Sequence, residues 1–328
     1  MKKTLVALAV LVAAGSVNAA EVFKSDEGSV DFYGQLRPTL KFEESEDHEP
    51  VLGTSSSRIG VNSAYIVSDS LKVLGEVELG VQTNDDDKGD SVYVRRHIFG
   101  LDMGELGTVR IGKEGTFADD VYGADYSYFF GGTALLYGHD WNNDSQIKYA
   151  YENDAFWLKA GVSFAENGTN EEIAEVFIGK SFGDLSVHAG VLTSEKSSNK
   201  SENQSFEITG EYALGKHVLG ATYYFNEKDL GAESIDSHGI SLAGMFAVAD
   251  KTTLYSGYEL VQASSNVAGK KDGEQSLLYV GVEYKFSKWA RVFAEVGQSF
   301  EGDKLEAGKA TEKTESATDF GLGARFYW

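Results

Sequence analysis

Among its 328 residues the chain has no cysteine, 2 prolines and 3 methionines. Zero cysteine excludes disulfide staples and thiolate metal sites. Basic residues are scarce, with 29 Lys and Arg against 51 Asp and Glu, a net charge of −22. So acidic a surface excludes nucleic acid as a partner held through phosphate contacts. Also missing, after the first few residues, is any apolar run approaching the ~20 residues a membrane-spanning helix needs. Yet the chain is 42% hydrophobic, too apolar for a disordered polymer. Its length suggests two domains, but all-β barrels often run this long as one unit.

The N-terminus is distinctive. MKKTLVALAVLVAAGSVNA has two lysines, an apolar run from Leu5 to Ala14, and small residues ending at Ala19. This pattern predicts a secretory signal peptide over 1–19 and a mature chain of 20–328. The apolar run is too short to span a bilayer. Removal takes away Lys2 and Lys3 and no acid, leaving 27 bases against 51 acids. The mature chain is therefore expected outside the cytoplasm.

The rest repeats with a period of two. In VDFYGQLRPTLKF one face reads Val30, Phe32, Leu36, Leu40 and Phe42, and the other Asp31, Gln35, Arg37 and Lys41. Successive side chains on a strand point to opposite faces, so one face is apolar and the other charged. LKVLGEVELGVQ sets Val73 and Val77 against Lys72, Glu76 and Glu78. LLYVGVEYKF sets Val280, Val282 and Tyr284 against Gly281, Glu283 and Lys285. About sixteen such segments begin near 30, 56, 71, 91, 108, 145, 156, 173, 185, 205, 218, 238, 253, 276, 290 and 318. Short connectors such as SDS, FGD and VAD alternate with long polar ones such as TSEKSSNKSENQ and EGDKLEAGKATEKTESAT. A soluble β-sandwich also alternates, but its apolar faces must pack on each other. A closed transmembrane barrel instead meets lipid outside and water inside, with no unpaired edge in hydrocarbon. The pattern predicts an all-β, antiparallel, 16-stranded outer-membrane barrel with long extracellular loops and short periplasmic turns. The terminal DFGLGARFYW, alternating up to Trp328, is expected to pair with the first strand and close the ring.

Several stretches resemble the trimeric general diffusion porins of Gram-negative outer membranes. AEVFKSDEGSVDFYGQ resembles their mature start, SSRIGVNS their second strand, and VRRHIFGLDMGELGTVRIGK their fourth and fifth strands. GARFYW resembles their C-terminal assembly signal, with Trp328 where the family usually has Phe. The resemblance implies a homotrimer of water-filled barrels in the outer membrane. Its barrel would be inserted by the assembly machinery through the C-terminal strand and would contact membrane lipids and lipopolysaccharide. It also implies a third extracellular loop folded inward to narrow the pore. The candidate is Glu114 to Asn143, a long connector rich in Gly and aromatics, with Phe117, Tyr122, Tyr126, Tyr128, Phe129 and Phe130 expected to pack inside the barrel.

In that family, acids on the loop face bases on the opposite wall. Arg58 and Arg95 match wall arginines. Gln35 stands where Lys is common, with Arg37 two residues on and on the same face. Asn142 stands where a further Arg is expected. The loop lacks the family's Pro-Glu before Phe130-Gly131-Gly132, so Asp119, Asp120 and Asp125 are the expected acids. Arg96 should point the opposite way from Arg95, toward lipid headgroups or a neighbouring subunit. Pro38 lies within a strand pattern and removes one ladder bond. Trp157 and Trp289, near strand starts, fit an aromatic girdle at the membrane boundary.

The implied function is passive passage of ions and small hydrophilic solutes, without reaction or cofactor. The acid excess suggests a mild cation preference. The histidines form no spaced metal pair, so no metal site is expected. NDDDKGD at 84–90 loosely resembles a calcium loop but reads as a solvated acidic loop. An outer-membrane barrel enzyme is the rival class. The only trio for it is His139-Asp140 with Ser127 or Ser145. A substrate-specific channel or adhesin on the same scaffold is the other alternative.

Overall fold

The computed structural model describes residues 20–44, 50–53, 56–83, 91–135, 141–168, 170–196, 201–229, 231, 234–266, 272–306 and 309–328. Strand β1 (Ala20–Ser25) folds back on β2 (Gly28–Leu36). β3 (Thr39–Phe42) continues the line of β2, and β4 (Val51–Gly53) leads into β5 (Ser57–Ser68). There follow β6 (Leu71–Gln82), β7 (Ser91–Asp102), β8 (Thr108–Gly115), β9 (Asn142–Glu152), β10 (Trp157–Ser163), β11 (Glu172–Phe182) and β12 (Leu185–Lys196). Next come β13 (Ser201–Leu214), β14 (His217–Asp229), β15 (Ser234–Ala249), β16 (Thr252–Ser265), β17 (Gly273–Ser287) and β18 (Ala290–Ser299). β19 (Gly302–Glu306) and β20 (Lys309–Thr314) pair only with each other, and β21 (Ala317–Tyr327) is last.

From β5 to β18 each strand pairs antiparallel with the next, and β21 pairs with β18 on one side. On its other side β21 meets the first stave, with Phe326 opposite Leu36, Leu322 opposite Leu40 and Phe320 opposite Phe42. The backbones of Gly34 and Trp328 exchange hydrogen bonds of 3.0 and 3.1 Å. With β2–β3 and β4–β5 each taken as one stave, the wall is a closed ring of sixteen. Closure satisfies every lipid-facing ladder, which an open sheet cannot do in hydrocarbon.

The two faces divide as the alternation requires. Val77, Val176, Val191, Leu242 and Val280 are exposed on the outside. Glu78, Glu175, Glu207, Glu259, Glu283 and Glu295, from interleaved positions, are buried within. Bulky inward rings lie flat over glycines of the neighbouring strand. A Cβ on Gly60 would come within 2.4 Å of the Tyr33 ring, and one on Gly323 within 2.4 Å of Phe293. Glycine there provides the seat that a ring needs against a curved wall.

Three local expectations are corrected. Pro38 does not interrupt a continuous ladder, because it lies in the break between β2 and β3. The segment EGDKLEAGKATEKTESAT contributes a hairpin, β19–β20, rather than a plain polar loop. The hairpin is drawn against the wall: Asp303 accepts a hydrogen bond from Glu274 N at 3.1 Å, and Leu305 packs on an apolar cluster inside the barrel. The N-terminal strand β1 had no counterpart among the expected segments.

Candidate functional site

β8 leaves the wall at Gly115 and the chain turns inward, and β9 starts at Asn142, so the connector is slightly shorter than expected; its inserted part is described over 116–135. Thr116 opens a single helical turn, α1 (Phe117–Asp120), its side chain accepting from Asp119 N at 3.2 Å. A buried apolar cluster of Phe117, Ala118 and Val121 on Ile173, Phe177 and Leu192 seats this end of the loop. Further along, Phe130 lies over Gly297 and Phe129 over Gly321. Tyr122 is the exception among the aromatics expected to pack: it is 46% exposed.

Wall carboxylates hold the loop backbone. Glu175 accepts from Phe117 N at 2.6 Å and Ala118 N at 3.0 Å. Glu259 accepts from Gly132 N and Ala134 N, both at 3.0 Å. Glu295 accepts from Tyr128 N, Phe129 N and Phe130 N at 2.6, 3.3 and 2.8 Å. Between these clamps, Thr222 Oγ1 accepts from Ala124 N at 2.6 Å, and Tyr279 Oη accepts from Tyr126 N at 2.9 Å. Two loop hydroxyls return the contact, Tyr126 to Glu211 at 2.5 Å and Tyr128 to Glu283. An irregular segment inside a barrel must find partners for its backbone, and here acids on β11, β16 and β18 supply them.

Facing the start of the loop is a row of cations. Arg95 Nη1 lies 2.6 Å from Glu78 and its Nη2 3.9 Å from Asp119. Arg96 lies 3.3 Å from Glu76 and 3.8 Å from Asp120, so it faces the lumen and not the lipid. The cause is a β-bulge: Glu78 pairs with Arg96 but Leu79 pairs with Val94, leaving Arg95 as the extra residue. A bulge lets two consecutive side chains share a face. Arg58 lies 3.6 Å from the same Glu78. Arg37 bonds Gln35 at 2.7 Å, and Arg325 sits 4.5 Å above the Tyr128 ring. Neither Arg37 nor Arg325 has a carboxylate within ion-pair distance among the described residues.

Of the predicted residues, Arg58, Arg95, Asp119 and Asp120 are thus brought into one network, with Arg37 beside it. Asp125 is not. Its Oδ1 accepts from Ser127 N at 2.9 Å, closing a turn within the loop. Asn142 is placed near the wall by a 3.1 Å bond to Arg95 O. Lys148 is a member that sequence reasoning missed. It is 1% exposed, and its ammonium lies 3.0 Å from Asp120, 3.5 Å from Glu114 and 4.0 Å from the Phe117 ring centroid. Its inward parity in QIKYAYE was a readable signal; its partner was not. Trp157 is likewise inward, over Gly179, and not part of a boundary girdle. His48, His139, Asp140 and the acidic stretch 84–90 lie outside the described residues.

The two loop acids differ in acidity. Burial, and then the adjacent Asp120 charge, push the Asp119 carboxyl above its ordinary value. Burial also opposes the charge of Asp120, but Lys148 and Arg96 override it and hold that carboxyl below its ordinary value. On acidification Asp119 therefore takes its proton first. Its neutral form gains stability for the fold as pH falls through the raised pKa, whereas the Asp120–Lys148 link is lost only below the lowered one. The reversal potential under a salt gradient should move toward anions between pH 7 and pH 4. In Asp119→Asn part of that shift should already be present at neutral pH, and the change left over the same range should be smaller than in the wild type. An identical pH profile in wild type and variant would refute the assignment.

A closed sixteen-stave wall, oily outside and charged inside, with one loop clamped across the bore, defines an outer-membrane channel barrel. The family model for Gram-negative porins matches residues 5–304, and the chain belongs to that family. It is an integral β-barrel of the Gram-negative outer membrane. It is 28% identical to the porin-like protein H of Photobacterium profundum, over 91% of this chain and 95% of that one. It is 25% identical to a major outer membrane protein of Pasteurella multocida over the whole of both chains. Among solved structures, in-vitro folded OmpT, an outer membrane protein of Vibrio cholerae, superposes with a TM-score of 0.84 at 45% identity. That match covers 94% of this chain and all of the other, and OmpT has also been solved in a trimer form.

Proposed function

We propose that the chain is a general diffusion porin, a passive channel for ions and small hydrophilic solutes that catalyses no reaction. The observation that carries this reading is the clamped loop itself. Seven backbone N–H bonds to Glu175, Glu259 and Glu295 hold a fixed constriction beside an arginine wall. Opposed charges across a wet bore screen ions and orient polar solutes without any chemical step. Residues 1–19 act as a cleaved signal and 20–328 form the single barrel domain. Arg37, Arg58 and Arg95 form the basic side of the constriction, and Asp119 and Asp120 the acidic side. By likeness to the trimer form of OmpT, three copies assemble, embedded among lipids and lipopolysaccharide after insertion by the assembly machinery through the C-terminal strand.

The acid excess gives a mild cation preference, held in check by Arg37, Arg58 and Arg325 at the narrow zone. Purified protein in a planar bilayer should show ohmic conductance steps that close in threes, with a small cation-biased reversal potential. Single-sized steps would remove the trimer, an anion-biased potential the preference, and a silent membrane the channel.

A further inference from the structure

Past the constriction, toward the short turns, the inner wall opens into a cavity of about 350 Å³. That is within the ~300–1,000 Å³ range of small-molecule sites. Its roof is the inserted loop at Asp120 and Val121, and its wall carries Glu152, Trp157, Lys159 and His188. Any solute leaving the narrow zone on this side passes it.

Trp157 dominates the wall. It pairs directly across from Gly179, where a Cβ would come within 2.3 Å of the indole. The ring therefore lies flat on the backbone, half-buried against the apolar cluster that seats the loop, and borders the cavity. The His188 ring is 5.9 Å away, tilted at 45°. The Lys159 ammonium lies 5.5 Å from the centroids of both Trp157 and Phe117. It has no carboxylate within ion-pair distance among the described residues. Glu152 stands opposite Trp157 in the ladder, and Glu211, also on the lining, accepts the Tyr126 hydroxyl. A half-buried indole bordering the cavity, an ammonium with no carboxylate at ion-pair distance and acceptor carboxylates together match one chemistry. C–H groups of a pyranose pack on the negative π face. A carboxylate on the sugar meets the ammonium, and sugar hydroxyls donate to acidic oxygens.

We propose that this cavity is a solute subsite for a carboxylated pyranose, with its ring on Trp157 and its acid group on Lys159. The proposal rests on the channel reading above, and names a solute class for it. The Trp157 platform accepts a neutral sugar as well, so the acid group gains only what Lys159 adds, roughly ten-fold in affinity.

The test compares glucuronate with glucose on the purified trimer in a planar bilayer. Glucuronate should interrupt the open current saturably, at roughly ten-fold lower concentration than glucose. Lys159→Gln should erase that difference, and Trp157→Ala should remove block by both sugars. If Trp157→Ala does not assemble, Lys159→Gln alone decides. Equal block by both sugars in wild type, or glucuronate block unchanged in Lys159→Gln, overturns the subsite and leaves the channel standing. If the protein conducts nothing, indole fluorescence titrated with glucuronate in detergent decides instead. A saturable change whose midpoint moves about ten-fold in Lys159→Gln keeps the subsite although the channel reading has failed; no change, or an unmoved midpoint, sinks it.

Discussion

Replacing Glu259 and Glu295 together by alanine will raise the single-channel conductance and let larger sugars through in liposome swelling. These two acids accept five backbone N–H bonds from the loop between Tyr128 and Ala134. A hydrogen bond to a charged acceptor contributes about 1.5–3 kcal/mol. Lumen water replaces part of each, and removing a buried carboxylate relieves its own desolvation, so the net loss of docking is about 3–5 kcal/mol. Phe129 and Phe130 still sit on their glycine seats, so the loop is expected to sample the wall and the bore, which appears as open-channel noise. Glu→Gln at both positions keeps an acceptor without the charge and should fall between. Unchanged conductance and an unchanged size cutoff in the alanine pair would show that the loop is held by its rings and not by these acids.

Removing Arg37 and Arg58 together will move the reversal potential strongly toward cations. Arg37 has no acid partner among the described residues, and Arg58 shares Glu78 with Arg95, which is closer. Their charge is therefore not cancelled locally. A unit charge 4 Å from a permeating ion is worth about 1 kcal/mol in water. Each substitution to alanine should thus raise the cation-to-anion permeability ratio roughly five-fold in 0.1 M salt. In 1 M salt, where the screening length is about 3 Å, most of the effect should vanish. A reversal potential that stays put in dilute salt would mean that ions do not pass this wall.

How much of this was readable beforehand depended on parity. Glu76 against Val77, or Val282 against Glu283, assigns the lumen and the lipid from alternation alone, and each fell on its expected face. Arg96 did not, because a bulge shifts register by one residue and nothing in VRRHIFG marks where it falls. Trp157 shared its parity with Lys159 and so was legible as luminal. Its place near a strand start suggested the girdle instead, and that competing cue was the weaker physical argument. Asp125 illustrates a different limit. An Asp beside Ser127 has a local partner within two residues, and a short turn outcompetes a distant arginine.

The glutamates that clamp the loop show the same limit from the wall side. Glu175, Glu259 and Glu295 were each identifiable as inward-facing, but three strands far apart in the chain had to be curled together before they met one loop.

Alternation alone settled the class of this protein: sixteen amphipathic segments with one oily face can satisfy their backbones in a membrane only by closing. That is a local property, carried by period two and repeated along the chain. Which inward charges are neutralised, which hold the loop, and which remain open to a passing solute were decided only when the ring closed. Contacts such as the 2.6 Å bond from Tyr128 N to Glu295, 167 positions further along the chain, exist nowhere in the linear order.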